Sequence, residues 1–155
     1  MMLFTDQLQC PSSFPWRFAN IVSSQDVVIS ILFSNEVLES HPNDITQECK
    51  IQLSQYFKKT LIDFQLPLAE ANSPFFKTVH AELIKIPLGA TTTYKEIAEK
   101  ISSAKKARAV GLACASNKIS IVVPCHRVLN ATHQLNGYAG GLPTKAWLLE
   151  HEKHF

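Results

Sequence analysis

The sequence predicts an α+β fold in which a small N-terminal lobe of sheet and helix precedes a mainly helical lobe. Apolar and β-branched residues flank a polar turn within residues 20–33, whereas apolar residues at helical spacing begin at residue 44. The stretch 63–73, DFQLPLAEANS, is typical of a connector. We therefore expect a structural lobe over residues 1–70 and a functional lobe over residues 73–155.

The composition is that of an ordered globular protein, with 46% hydrophobic and 18% charged residues. No apolar run approaches the length of about 18 residues that spans a bilayer, so we expect no membrane association. The N-terminus lacks a signal-peptide pattern, and the cysteines show neither CxxC nor zinc-finger spacing, which favours a reducing, cytoplasmic setting. These scattered cysteines are Cys10, Cys49, Cys114 and Cys125.

The net charge of +2 is unevenly distributed along the chain. Residues 1–91 carry 6 Lys and Arg against 9 Asp and Glu, and residues 92–155 carry 9 against 4. The positive second part suits a polyanionic partner, although a solvated lysine face accounts for the same charge.

In the first lobe, residues 20–33 predict a β-hairpin with its turn at SSQD, and residues 34–44 predict a loop. Apolar residues then recur at helical spacing from Asp44 to Lys59, which predicts an amphipathic helix packed on the sheet. These residues are Ile45, Cys49, Leu53, Tyr56 and Phe57.

The second lobe is predicted to begin with a helix that Ser73 caps and that has Pro74 in its first turn. Its predicted buried stripe is Phe75, Phe76, Val79, Leu83 and Ile84. Thr93 and Glu96 then predict a reciprocal capping box at the start of a short helix that ends near Ile101.

A second helix, AKKARAVGLACASN, is predicted after the turn SSAK. Two short helices joined by a tight turn form a candidate helix-turn-helix for DNA, with Lys105, Lys106 and Arg108 on its second helix. Any helical hairpin fits the same pattern. Downstream, residues 120–123 predict a buried strand or extended segment, NGYAGG predicts a loop, and residues 142–155 predict a helix with Pro143 in its first turn.

Cys125 is the candidate nucleophile. It follows Pro124 at the end of an apolar run and precedes His126 and Arg127, a setting that favours a thiolate. Cys49 and Cys114 are interpreted as inert core residues.

His126 could be a core histidine or a proton acceptor, and Glu150 or Glu152 could orient its ring as in hydrolase triads.

The segments TTTYKEIA, ARAVGLACASN, VVPCHRVL and GYAGGLPTKAWLLEHE together resemble the O6-alkylguanine-DNA alkyltransferases, also called methylated-DNA–protein-cysteine methyltransferases. The similarity covers residues 73–153 closely and the preceding hairpin and helix loosely. It implies direct-reversal DNA repair. The alkyl group of O6-alkylguanine, and also of O4-alkylthymine, would pass irreversibly to a cysteine in a single turnover after the base flips out through the minor groove.

The resemblance implies Cys125 as the alkyl acceptor, His126 as the group that takes its proton through a water, and Glu152 as the carboxylate behind that histidine. Asn117 would brace the turn before the cysteine. Tyr94 would help rotate the phosphate of the nucleotide and would form a hydrogen bond with the purine. No cofactor is implied.

Arg108 would fill the gap that the extruded base leaves in the duplex. The other implied DNA-binding residues are Tyr94, Lys105, Lys106, Ala107, Gly111 and Arg127. Small residues would let the recognition helix lie close to the minor groove, although core packing also explains them; they are Ala107, Gly111, Ala113 and Ala115. Backbone groups of Cys125, Val128 and Ala139 would line the base pocket, and Tyr138 would close it.

This chain departs from the family at several positions. Ala139 stands where many members carry serine, and His80 where tryptophan is common. Some members bind zinc in the N-terminal lobe, but Cys10, His41 and Cys49 do not reproduce that arrangement, so we expect no metal. We expect the protein to act as a monomer on double-stranded DNA.

Two other classes of function stay open. A cysteine hydrolase built on Cys125, His126 and Glu152 would need an oxyanion hole, for which the sequence offers no candidate. A non-catalytic binder of alkylated DNA, or a helix-turn-helix regulator, would not need the cysteine. Alkyltransferase-like binders lack the acceptor cysteine, whereas Cys125 is present.

Overall fold

The computed structural model describes residues 1–155, which divide into two compact units. The first comprises residues 1–69, 118–120 and 154–155, and the second comprises residues 70–117 and 121–153. The chain therefore returns twice to the first unit after leaving it. None of the helices has both the length and the apolar character needed to cross a membrane.

The first unit is an antiparallel sheet with one helix packed on it. Its strands are β1 (Phe4–Gln9), β2 (Phe18–Ser23) and β3 (Val28–Ser34), in that order across the sheet, and its helix is α1 (Asp44–Phe57). Strands β2 and β3 confirm the predicted hairpin. Strand β1 was not predicted, because FTDQLQ is largely polar and even its inward-facing Asp6 is charged.

The core of the first unit lies between α1 and the sheet. Ile21, Ile31 and Leu53 are fully buried there. Helix α1 begins with a capping box in which Asn43 and Thr46 exchange side-chain hydrogen bonds with each other's backbone N–H. Two residues of its predicted apolar stripe, Ile45 and Phe57, are only half-buried.

The second unit contains four helices and a short parallel strand pair. The elements are α2 (Pro74–Ile84), β4 (Thr92–Thr93), α3 (Tyr94–Ile101), α4 (Ala107–Ala115), β5 (Val128–Leu129) and α5 (Leu142–Glu152). Val79, Leu83, Ile97, Val110 and Leu148 form the buried core of this unit. Helices α3 and α4 are the predicted helix pair, and a single 3₁₀ turn at Ala104–Lys106 leads into α4.

The helix starts in this unit agree with the sequence more closely than the predicted stripes do. Ser73 Oγ accepts the N–H of Phe76, as predicted, but Ile84 at the end of α2 is exposed, so its place in the buried stripe was wrong. Thr93 Oγ1 accepts the N–H of Glu96. The Glu96 carboxylate instead accepts threonine hydroxyls, so only half of the predicted capping box forms.

Residues 120–123 are buried but turn rather than extend, so the predicted strand was wrong. The N–H of Cys125 donates to Val123 O at 2.8 Å, which closes a tight turn. Ile121 has a φ of 73°, a conformation that β-branched residues rarely adopt. Such strain persists only where the surrounding structure fixes the backbone, and this turn directs Cys125.

Candidate active site

A cavity of about 650 Å³ opens in the second unit. Its walls come from the start of α3, from one face of α4, and from the loop between β5 and α5. The cavity is lined by Tyr94, Lys95, Ala107, Arg108, Gly111, Leu112, Cys114, Ala115, Cys125, Asn130, Ala131, Asn136, Gly137, Tyr138 and Ala139. It thus brings together residues that are up to 45 positions apart in the chain.

Cys125 lies in the cavity wall and is only 6% exposed. It begins a 3₁₀ turn, Cys125–Arg127, directly after Pro124. The Asn117 side-chain amide donates to Cys125 Sγ at 3.2 Å and to Val123 O at 3.0 Å. One amide therefore fixes both the sulfur and the turn before it.

The thiol form of Cys125 is favoured in the free protein, contrary to the prediction of a thiolate. Burial raises the pKa of Cys125, and the Asn117 hydrogen bond and the charge of Lys145 only partly oppose it. The prediction failed because the sulfur is buried and because the Arg127 guanidinium binds Glu152 instead of the sulfur.

Behind Cys125 lies a buried ionic cluster centred on Glu152. His126 Nε2 is 2.6 Å from Glu152 Oε2, while Arg127 Nε and Nη2 donate to Oε1 and Oε2 at 2.7 Å and 3.1 Å. Arg127 Nη1 also donates to Ile86 O at 2.6 Å. All three side chains of the cluster are buried, so the carboxylate is held by two partners away from solvent.

The cluster fixes the protonation states of its members. Burial alone would raise the pKa of Glu152, but hydrogen bonds from His126 and Arg127, together with the Arg127 charge, hold it well below its usual range. Burial lowers the pKa of His126, so its ring is neutral at pH 7. A carboxylate at Nε2 requires the proton there, which leaves Nδ1 as an acceptor. Nδ1 is buried and has no hydrogen-bond partner in the protein.

Arg127 is therefore not a DNA-binding residue, and that prediction was wrong. Its guanidinium is buried and its donors go to Glu152 and to the carbonyl of Ile86. Val128 does not line the cavity either, because its pairing with Thr92 in the β4–β5 ladder leaves it fully buried in the core. Tyr138 and Ala139 do line the cavity.

Tyr94 and Lys145 meet at the loop that faces Cys125. Tyr94 Oη donates to Asn136 O at 3.2 Å, and Lys145 Nζ donates to the carbonyls of Asn136 and Gly137 at 2.8 Å and 3.2 Å. Burial raises the pKa of Tyr94 to about 12, so the phenol keeps its proton. Burial lowers the pKa of Lys145, while the nearby cysteines oppose this.

Lys145 is a functional candidate that the sequence reasoning missed. It is completely buried on α5, three and seven residues before Leu148 and Glu152. This spacing puts all three residues on one helix face, which was the available signal. A lysine on that face is exceptional, because lysine is almost never fully buried without partners.

The exposed face of the helix pair carries the predicted basic residues. Lys105, Lys106 and Arg108 are exposed and form no ion pair. Ala107 and Gly111 lie in the cavity wall, and a Cβ added at Gly111 would meet nothing within 4 Å. Packing inside the protein therefore does not explain this glycine. Ala113, by contrast, is fully buried and belongs to the core, not to the open face.

No group of three or more His, Cys, Asp or Glu residues that could hold a metal ion occurs in the structure. All four cysteines are free. Cys114, predicted to be a core residue, is buried but also lines the cavity, and burial raises its pKa to about 12.

Comparison with known proteins gives consistent matches. The family model for the 6-O-methylguanine DNA methyltransferase DNA-binding domain matches residues 74–154. A methylated-DNA–protein-cysteine methyltransferase of Mycobacterium leprae is 46% identical over 112 residues, which is 72% of this chain and 68% of that protein. The corresponding protein of Methanosarcina mazei is 46% identical over 111 residues, 72% of this chain and 70% of that protein.

Solved structures extend the similarity over both units. A crystal structure of Mycobacterium tuberculosis OGT in complex with DNA has a TM-score of 0.84 and 33% identity, covering 96% of this chain and 92% of that one. A crystal structure of the O6-methylguanine methyltransferase from the same organism has a TM-score of 0.84 and 32% identity, covering 98% of this chain and 93% of that one.

Proposed function

Because this chain belongs to the 6-O-methylguanine DNA methyltransferase family, we propose that it removes the alkyl group from O6-alkylguanine in double-stranded DNA and retains it on Cys125. Membership makes it a methylated-DNA–protein-cysteine methyltransferase, an enzyme of alkyl-transfer repair. The acceptor residue, its activation and the single turnover are our proposal. The observation that carries it is the Cys125 thiol in a cavity wall, with Asn117 on its sulfur and a buried His126–Glu152 pair beside it.

The transfer is a displacement at carbon. As Cys125 Sγ bonds to the alkyl carbon, the bond from that carbon to guanine O6 breaks and its electron pair stays on the base. Overall, the alkyl group and the thiol proton change places between sulfur and guanine. The product is a thioether that no group in the cavity is equipped to cleave, so each molecule reacts once.

His126 accepts the thiol proton through a water in this mechanism. The proposal is supported by the neutral ring, whose Nδ1 is an acceptor without a protein partner. Glu152 orients the ring and stabilises the positive charge that develops on it. Since burial keeps the free thiol protonated, proton removal accompanies substrate binding and does not precede it.

The alkylated base reaches Cys125 by flipping out of the duplex through the minor groove. Arg108 enters the space that the base vacates, and Lys105 and Lys106 contact phosphates; the exposure of all three supports these roles. The uncrowded Gly111 lets the duplex approach α4 closely. The Tyr94 hydroxyl, which donates to Asn136 O in the free protein, donates to the purine ring when the base is bound. Because the phenol keeps its proton, this hydrogen bond stabilises the negative charge that develops on the ring.

A cysteine hydrolase is less well supported than alkyl transfer. It needs free backbone N–H groups near the nucleophile as an oxyanion hole. The N–H of Cys125 donates to Val123 O, that of Arg127 to Pro124 O, and that of Val128 to Cys125 O. The alternative is a non-catalytic binder of alkylated DNA. Such a binder does not require a sulfur that is positioned by the Asn117 amide.

Further parts of the proposal concern range and setting. We assign the chemistry and DNA binding to residues 73–155 and a structural role to residues 1–70. O4-alkylthymine is a second substrate. The protein acts as a monomer, without metal or cofactor, in the cytoplasm.

The test replaces either of two cysteines in the same cavity wall. Cys125→Ala should abolish transfer from a duplex carrying O6-methylguanine yet keep duplex binding, while Cys114→Ala should retain transfer. Transfer is followed as loss of the labelled methyl group from DNA and its gain on protein. Persistent transfer by Cys125→Ala would refute the assignment of the acceptor, and wild-type binding without transfer would favour the non-catalytic alternative.

A further inference from the structure

Leu112 is the one large apolar side chain on the cavity-facing side of α4. It is 61% exposed in the middle of the helix, where its cavity-lining neighbours are small or cationic. A single exposed leucine needs no special explanation on an ordinary surface. This leucine lies at the mouth of the cavity that contains Cys125.

The position of Leu112 follows from helix geometry. Arg108, Leu112 and Ala115 are spaced i, i+4 and i+7, so they form one stripe along α4, and all three line the cavity. The adjacent Gly111 has open space where a Cβ would stand. A duplex that approaches the helix as closely as Gly111 allows meets the Leu112 side chain, which projects beyond the glycine.

We propose that Leu112 enters the minor groove as an apolar wedge against the base step beside the extruded nucleotide, one helical turn from Arg108. This inference rests on the proposed function. Apolar side chains that wedge between base steps partly unstack them and kink the duplex. Leu112 would thus lower the cost of extruding the base, while Arg108 would occupy the space left behind.

The wedge separates substrates that need base extrusion from those that do not. Leu112→Ala should slow transfer from duplex O6-methylguanine by about tenfold. Transfer from a single-stranded oligonucleotide or from the free O6-methylguanine base should change less than about twofold, because neither requires unstacking of a duplex. Leu112→Met, which keeps an apolar side chain of similar reach, should retain most of the duplex rate.

Leu142→Ala is the matched control, since Leu142 is 46% exposed in the same unit but does not line the cavity. It should leave all three rates unchanged. A second readout is the dependence of the transfer rate on the DNA sequence beside the lesion. Leu112→Ala should lose more of the duplex transfer rate when the lesion lies in a stiff A-tract than when it lies next to a flexible TA or CA step.

An equal loss of transfer rate on duplex and on free base in Leu112→Ala would overturn the wedge. An unchanged transfer rate on duplex would also overturn it and would make Leu112 an ordinary solvated leucine. Failure of the inference is distinct from failure of the proposed function. If wild-type protein transfers the methyl group and Leu112→Ala does so equally well, only the wedge fails. If wild-type protein transfers from none of the three substrates, the proposed function fails as well.

Discussion

The buried side of the cavity and its helical wall are constructed in opposite ways. Around Cys125, the polar side chains are buried and mutually bonded, with Glu152 joined to both His126 and Arg127. Along α4 and the 3₁₀ turn before it, the charged side chains Lys105, Lys106 and Arg108 are exposed and form no ion pair. The first region pairs its charged side chains within the protein and leaves His126 Nδ1 as a buried acceptor. The second region has no internal ion pair, and in our proposal its cations contact DNA phosphates.

This difference separates what each region contributes. Groups fixed by packing need no reorganisation when the substrate arrives, which suits a proton relay. Exposed cations on a surface contribute little to folding but attract a polyanion. Substitutions in the buried cluster should therefore affect stability and chemistry together, whereas substitutions of these exposed cations should affect the interaction with DNA and leave stability unchanged.

The largest effect is expected at Glu152. Glu152→Gln removes the charge between His126 and Arg127 and leaves a buried guanidinium unpaired, which should lower the free energy of unfolding by about 3–5 kcal/mol. Transfer at neutral pH should also slow, because His126 loses its anionic partner. Urea unfolding and single-turnover kinetics measure the two effects.

A double variant tests whether the loss of stability comes from the unpaired charge. Glu152→Gln combined with Arg127→Met should regain much of the stability, but not the transfer rate, because the relay still lacks its carboxylate. Glu150→Gln on the exposed side of α5 is the control and should be neutral. Full recovery of transfer in the double variant would remove Glu152 from the relay.

A smaller effect is expected at Lys145, which belongs to the buried region but acts on the cavity loop. Lys145→Met keeps the stem and removes the charge that lowers the pKa of Cys125. The pKa of Cys125 should therefore rise, and each unit of rise reduces the thiolate fraction at neutral pH about tenfold. The measurement is the rate of Cys125 alkylation by iodoacetamide as a function of pH.

Lys95→Met is the control for this profile, because Lys95 is exposed and also lines the cavity. Lys95→Met should leave the pH dependence of Cys125 alkylation unchanged. A Lys145→Met profile identical to that of the wild type would limit Lys145 to holding the carbonyls of Asn136 and Gly137.

The smallest effect is expected at Lys106, in the turn that leads into α4. Lys106→Ala should weaken binding to undamaged duplex a few-fold and should reduce the slope of log affinity against log salt by about 1, as expected for one lost phosphate contact. The free energy of unfolding should stay unchanged. Lys153 is an exposed lysine at the end of α5, and Lys153→Ala should alter neither the affinity for duplex nor the salt slope. An unchanged slope in Lys106→Ala would show that Lys106 does not contact a phosphate.

Local sequence patterns predicted most of the helices but not the turn that directs Cys125. Ser73 and Pro74 specify the start of α2 through a hydrogen bond and a fixed φ, which act within one turn of chain. The turn at residues 120–123 depends instead on the Asn117 amide and places Ile121 in an unfavourable conformation. No propensity predicts strain that the surrounding structure imposes.

The same limit applies to the candidate site. Local sequence indicated Cys125 as the nucleophile, and the resemblance assigned roles to His126 and Glu152, but nothing local indicated that Arg127 binds Glu152 across 25 positions of sequence. Because the Arg127 guanidinium is buried against Glu152, it is not available to bind DNA, and it does not stabilise a thiolate on Cys125. Leu112 was passed over because exposed apolar residues carry no signal until their surroundings are known.

The most direct measurement is the intact mass of the protein after titration with a duplex oligonucleotide that carries one O6-methylguanine, followed by peptide mapping. We expect a gain of one methylene per molecule, located on the peptide that contains Cys125, with saturation at one equivalent of lesion. Continued consumption of lesion beyond one equivalent, or an unchanged mass despite tight binding, would contradict single transfer to Cys125.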